Sequence, residues 1–158
     1  MAVKPIPDGF HTLTPYLAVR GAAAAIDWYK KAFGAEERYR MPMPDGKLGH
    51  AEIKVGDSVV MLGDEVPQMG CPSPQTLNGS PVSLFMYTTD VDASFQRAVA
   101  AGATVQMPPT DMFWGDRFAK IQDPFGHLWA MATHKEDLTD EQIKQRAAAA
   151  FGKGHPTT

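Results

Sequence analysis

Two side chains that could exchange a proton stand two apart, His50 and Glu52, in the run from Leu48 to Val55. Alternate residues of a strand share a face. An imidazole and a carboxylate so placed are either an acid–base pair or a hydrogen-bonded structural pair, because a general base must also reach a substrate proton. Arg117 could grip a carboxylate or phosphate through two parallel bonds, or be tied up by Asp116, Glu52 or Asp123. Trp114 and Phe85 could stack on a flat ligand. Tyr16, Phe85 and Tyr87 read as ligand contacts or as core and subunit contacts, since aromatics dominate both. Cys71 lies between Gly70 and Pro72 with no adjacent His, which makes it a weak nucleophile. His127 is expected to trim a turn, and His11, His134 and His155 read as surface residues.

Such groups act only where the backbone places them. From Phe113 to His134 the chain reads as two strands around an Asp123-Pro124-Phe125-Gly126 turn. Asp suits the first turn position, Pro presets φ at the second, and Gly absorbs strain at the end. Residues 49–63 repeat that plan around Gly56-Asp57. Ahead of the first hairpin, His11 to Val19 alternates as a strand, with an edge or bulge forced by Pro15. Ala22 to Phe33 carries apolar residues at 22, 26, 29 and 33, a helical spacing, and Gly34 stops it. Trp28 falls off that stripe and is expected at a subunit interface. Glu36 to Met41 is a further strand, and the first hairpin pairs Leu48 to Val55 with Ser58 to Leu62.

Residues 64–81, rich in Pro and Gly, are a linker. A strand from Val82 to Thr88 follows, then a helix from Val91 to Ala101 capped by Asp90. Thr104 to Met107 is a short strand and Pro108 to Gly115 a loop before the second hairpin. Thr139-Asp140-Glu141-Gln142 has capping-box spacing and starts a last helix, about 139–151. Residues 152–158 are expected to be disordered.

Sliding the chain on itself by 69 residues sets Thr14 on Ser83 and Met61 on Ala130. A long internal period signals a duplicated unit. The fold class is therefore α+β: two tandem βαβββ units, about 11–63 and 82–134, in one domain over 1–158, with a cleft between them and a C-terminal helix. If Thr14, Met61 and Ser83 face the cleft, alternation puts Tyr16, Phe85 and Tyr87 there too, with His50 and Glu52 on the same side. The repeat offset adds Arg117. This is the usual makeup of a small-molecule pocket.

Composition narrows the classes. The chain has 158 residues, 15 Lys and Arg against 18 Asp and Glu, and no basic block. A phosphate backbone needs clustered cations, so nucleic acid is not an expected partner. No apolar run approaches the roughly 20 residues that cross a bilayer, so no membrane is expected either. The first residues lack the apolar core of a signal peptide. One cysteine permits no intrachain disulfide, and a cytoplasmic setting fits.

The strings LTPYLAVRGAAAAIDWYKKAFGA, GHAEIKVGDSVVMLGDE and GDRFAKIQDPFGHLWAMATH resemble the glyoxalase/bleomycin-resistance, or vicinal oxygen chelate, superfamily, in its PhnB-like branch. The resemblance implies curled sheets, an open barrel-like cleft and a homodimer. Metal-dependent members take four ligands, usually His and Glu, at positions that fall here on Thr14, Met61, Ser83 and Ala130. Two hydroxyls, a thioether and a methyl are poor ligands for the usual metals, so no metal and no cofactor are expected. Three readings follow: a protein that binds a small molecule without converting it, a metal-free isomerase or lyase using His50 and Glu52, and a metal-dependent glyoxalase-like enzyme.

Overall fold

Two four-stranded mixed sheets are built in the same way from successive halves of the chain, in the order β1-β4-β3-β2 and β5-β8-β7-β6. The computed structural model describes residues 3–152. The first unit runs β1 (Tyr16–Val19), α1 (Ala22–Phe33), β2 (Glu36–Pro42), β3 (Leu48–Val55) and β4 (Ser58–Asp64). A linker with a short 3-10 turn (Pro67–Met69) and one turn of helix, α2 (Pro74–Leu77), leads to the second. That unit runs β5 (Ser83–Tyr87), α3 (Val91–Ala100), β6 (Thr104–Asp111), β7 (Asp116–Gln122) and β8 (Leu128–His134), and α4 (Asp140–Phe151) follows.

In each unit the first strand pairs in parallel with the fourth. Tyr16 lies opposite Met61, and Phe85 opposite Ala130, so the offset of 69 holds for both strands. It fails for the third. Ala51 faces Leu62 in the first unit, but Ala119 faces Met131 in the second, an offset of 68 on β7 against 69 on β8. The second hairpin is one residue longer: five residues separate Gln122 from Leu128, where four separate Lys54 from Val59. Side chains alternate along a strand, so a slip of one residue exchanges the two faces.

Local chemistry accounts for the elements. α1 starts at Gly21 and stops at Gly34, both left-handed, and has no acid in its first turn. Asp64 supplies that charge from β4, its Oδ1 accepting from Gly21 N at 2.8 Å and Ala22 N at 3.1 Å. A carboxylate there satisfies free amides and opposes the helix dipole. The Thr139/Gln142 capping box of α4 is formed as the sequence indicates.

The core lies where the units meet. α1 packs on α3, and Tyr29 and Phe33 of α1 reach Trp129 of β8 with ring centroids 5.6 and 4.7 Å apart. Asp123, 3% exposed, joins the units: Oδ2 accepts from Tyr29 Oη at 2.6 Å and Trp129 Nε1 at 2.9 Å. Its Oδ1 accepts from Phe125 N and His127 N, both at 2.9 Å. The helix-facing sides of both sheets belong to this one core. Their other sides are left open, and Tyr16, Phe85 and Tyr87 stay 54, 51 and 64% exposed there.

Several expectations need correction. β1 begins at Tyr16, because Pro15 lacks the N–H a ladder needs. β6 runs on through Pro108 and Pro109, with a register shift between Met107 and Thr110. It is the sheet's edge, where a missing donor is tolerated. Trp28 is buried between the units and not on the surface of one: Nε1 donates to Ala101 O at 2.8 Å, and the ring meets Tyr29 and Phe33 edge-on. α1 has a second apolar face because it covers its own sheet and α3 together. Of the tail expected to be disordered, only Gly152 lies among the described residues, and the surface reading of His155 falls outside them.

Candidate functional site

The open face of the first sheet carries a chain of polar groups. Tyr16 comes from β1, His50 and Glu52 from β3, and Arg38 and Tyr39 from β2. Tyr16 Oη is 3.1 Å from His50 Nδ1 and 3.4 Å from the Gly49 carbonyl. The hydroxyl has one proton to give, to Nδ1 or to the Gly49 carbonyl, and His50 Nε2 lies 3.6 Å from Glu52 Oε1. Glu52 Oε2 is in turn 3.8 Å from Arg38 Nη1, and that guanidinium covers the Phe10 ring. Burial, and then the nearby Cys71, raise the Tyr16 hydroxyl above its ordinary pKa. Gly63 on β4 makes room for this arrangement. A Cβ there would stand 2.9 Å from the Gly49 carbonyl oxygen and 3.3 Å from Tyr16 Oη.

A groove of about 1030 Å³ runs beside this face, between Tyr16, Met41, Met43 and the linker residues Met69, Cys71 and Leu77. His127 also lines it, with Nε2 3.0 Å from the Ala18 carbonyl. His127 therefore bridges the second hairpin to β1, besides closing its turn. A smaller groove of about 650 Å³ lies where the β3–β4 turn meets β5, and Thr14, Phe85 and Tyr87 line it.

The second sheet's open face is aromatic. Phe85 sits 5.2 Å from Tyr87 and 5.8 Å from Phe118, and Phe118 sits 5.9 Å from Trp114 (centroid distances). Phe113 extends the series to Phe151 of α4. Ala130 and Ala132 of β8 form the floor beneath the rings, opposite Phe85 and Tyr87. Asp116, 4% exposed, ends this face: Oδ2 accepts from Tyr87 Oη and Trp114 Nε1, both at 3.1 Å, and Oδ1 is 2.8 Å from His134 Nδ1. The bond to Asp116 raises the Tyr87 pKa. His134 also meets Asp137 at 3.0 Å, and these two carboxylates, Asp137 the stronger, raise its pKa.

The candidate residues thus divide into two groups. Tyr16, His50, Glu52 and Met61 gather on the first open face, and Ser83, Phe85, Tyr87 and Trp114 on or beside the second. Thr14 precedes β1, with Oγ1 donating to the His11 carbonyl at 3.4 Å. Arg117 is a correction. The longer hairpin turns it to the helix side, where Nε and Nη2 bond Asp92 of α3 at 2.6 and 2.8 Å. Nη1 bonds Asp111 at 3.1 Å. Lys120 and Phe118 take the cleft-side places on β7, as register partners of Ala130 and Ala132. His134, read as a surface residue, is exposed, and it also pairs with Asp116.

The four positions that the resemblance assigns to metal ligands carry poor donors here. Ala130 offers no donor, Met61 a thioether, and Thr14 and Ser83 neutral hydroxyls. Among the described residues no group of three or more His, Cys, Asp or Glu is arranged to hold a metal ion.

The comparisons with known proteins agree with this architecture. The family model described as glyoxalase/bleomycin resistance protein/dioxygenase superfamily matches residues 9–131. An uncharacterized protein of Mycobacterium tuberculosis H37Rv is 46% identical over 145 residues, covering 90% of this chain and 85% of its own. The crystal structure of TioX from Micromonospora sp. ML1 is 30% identical with a TM-score of 0.63, over 78% of this chain and 98% of that one. An Arabidopsis thaliana gene product is 28% identical with a TM-score of 0.62, over 78% and 98% of the two chains.

Proposed function

Because the chain belongs to the glyoxalase/bleomycin resistance protein/dioxygenase superfamily, we propose that it binds a small, partly aromatic molecule without converting it and without the superfamily's usual metal. The observation that carries this reading is the aromatic face of the second sheet, where Phe85 and Tyr87 are about half exposed beside Phe118 and Trp114. Exposed rings on an open sheet face are costly in water and favourable against a flat ligand. The open faces of the two sheets look away from one another, since the helices and core lie between them. A second copy of the chain would supply the other wall of a cleft, so the working form in this reading is a homodimer. An unpaired cysteine suits a reducing, cytoplasmic setting.

A second reading is favoured by one specific feature, the Tyr16–His50–Glu52 series. Tyrosine, imidazole and carboxylate in sequence are able to relay a proton to or from a bound substrate. The two readings separate in one experiment. Purified protein is analysed by native mass spectrometry for a co-purified compound, then incubated with that compound. Binding without conversion predicts that Phe85→Ala and Trp114→Ala lose the compound and that none is consumed. Consumption abolished by His50→Ala would replace the binding reading with the enzymatic one. Retention of the compound by both aromatic variants would place the ligand elsewhere.

A further inference from the structure

Lys120 is the one lysine among the described residues that is partly buried and has no carboxylate within salt-bridge distance. Lys4 and Lys30 are paired, and Lys31, Lys47, Lys54, Lys135 and Lys144 are exposed. A lysine stem can be covered while its ammonium stays in water, and an ammonium that no carboxylate holds is free to meet a charge that a ligand brings. Its position says what accompanies that charge. Lys120 lies opposite Ala130, which in turn lies opposite Phe85. Only a methyl group therefore separates the ammonium's strand from the Phe85 ring, a span of roughly 10 Å across two strand spacings. Phe118 is the next open-face residue on the same strand. The nearest carboxylate on this face of β7 is Asp116, four residues away and so about 13 Å along the strand. It is occupied by Tyr87, Trp114 and His134.

We infer that Lys120 anchors the anionic group of the ligand, and that the ligand class is a flat ring system bearing a carboxylate, sulfonate or phosphate. The ligand's rings stack on the outward faces of Phe85 and Phe118, and the charge lies toward Gln122. This rests on the binding reading and gives it a chemical class. Glu52 occupies the corresponding place on the first sheet, and in a dimer of opposed faces it is the competing partner for Lys120.

The test uses the whole protein and two fluorescent probes of similar shape, anionic anilinonaphthalenesulfonate and uncharged N-phenylnaphthylamine. Wild-type protein should prefer the sulfonate, with a preference that shrinks as salt is raised. Lys120→Met should weaken sulfonate binding about tenfold, the loss of one charge-assisted bond, and leave the neutral probe unchanged. Lys120→Arg should restore it, and Arg117→Met should have no effect. Equal affinities for the two probes, or equal losses in Lys120→Met, would overturn the charge assignment while the binding reading stands. Dissociation of a dimer by Lys120→Met would also overturn it, by assigning the ammonium to the subunit contact. Failure of wild-type protein to bind either probe would remove both readings.

Discussion

Asp123 should be among the most sensitive positions in the chain, and the cost of changing it can be worked out from its four bonds. Asp123→Asn puts an NH2 group where an oxygen stood. In one amide orientation that group faces Tyr29 Oη and Trp129 Nε1, and in the other the amides of Phe125 and His127. Either way two buried donors lose their acceptor. At roughly 1–3 kcal/mol for each unmet group, the variant should lose about 4 kcal/mol, a large share of the roughly 5–15 kcal/mol that holds a domain folded. Tyr29→Phe keeps the ring between Trp28, Phe33 and Trp129 and removes only a donor to a carboxylate, so it should cost about 2 kcal/mol.

The double variant separates this account from general loss of packing. With the tyrosine hydroxyl gone, the amide introduced by Asp123→Asn has one donor fewer to leave unmet, so the two costs should fall short of additivity by about 1 kcal/mol or more. Urea unfolding, followed by circular dichroism and tryptophan fluorescence at an unchanged slope, measures all three differences. Losses under about 0.5 kcal/mol for either single variant, or strict additivity, would refute the view that this carboxylate joins the two units.

Two further outcomes follow from the open faces. The folded pKa of His134 is raised by Asp137 and Asp116, so its stabilisation is complete below the unfolded value of about 6.5 and is lost as pH rises through the folded one. The advantage of wild type over His134→Gln in urea midpoint should therefore shrink as pH is raised from about 6 to 8, and an advantage that grew would contradict the sign. Gly63→Ala drives a methyl into the Gly49 carbonyl and the Tyr16 hydroxyl; it should cost about 1–3 kcal/mol and displace the His50 ring resonances in NMR at fixed pH. An unchanged His50 spectrum would mean that Tyr16 does not hold the imidazole.

Much of the fold is legible in the sequence because its signals are local. Gly34 ends α1, Asp90 caps α3 through Ala93 N at 3.0 Å, and Thr139 and Gln142 cap α4, each within four residues of the feature it controls. What escapes a reading of the sequence depends on partners far along the chain. Trp28 leaves the apolar stripe because α3, some seventy residues on, covers a second side of α1. Asp64 reads as the first residue of the linker, and its role as the acid at the start of α1 appears only when β4 is laid beside β1. Asp116 and His134 lie 18 residues apart and become partners through the β7–β8 register.

The division between Arg117 and Lys120 turns on the hairpin, and the same step explains why the two open faces differ. The β3–β4 turn, with four residues between Lys54 and Val59 and Gly56 in the left-handed region, leaves His50 and Glu52 on the open side. The Asp123-Pro124-Phe125-Gly126-His127 loop is longer by one residue, and that residue is needed: it lets Asp123 fold inward to Tyr29 while Phe125 enters the core at 8% exposure. Accommodating the extra residue slips β7 by one place. Arg117 is carried to Asp92 on the helix side, and Phe118 and Lys120 are carried to the open side, where His50 and Glu52 stand in the first unit. The loop that joins the halves through a buried acid thereby also sets one wall aromatic and cationic, against a polar first wall. Two copies of one architecture then differ in what they can bind, and a one-residue deletion in this loop should disturb the unit contact and the aromatic face together.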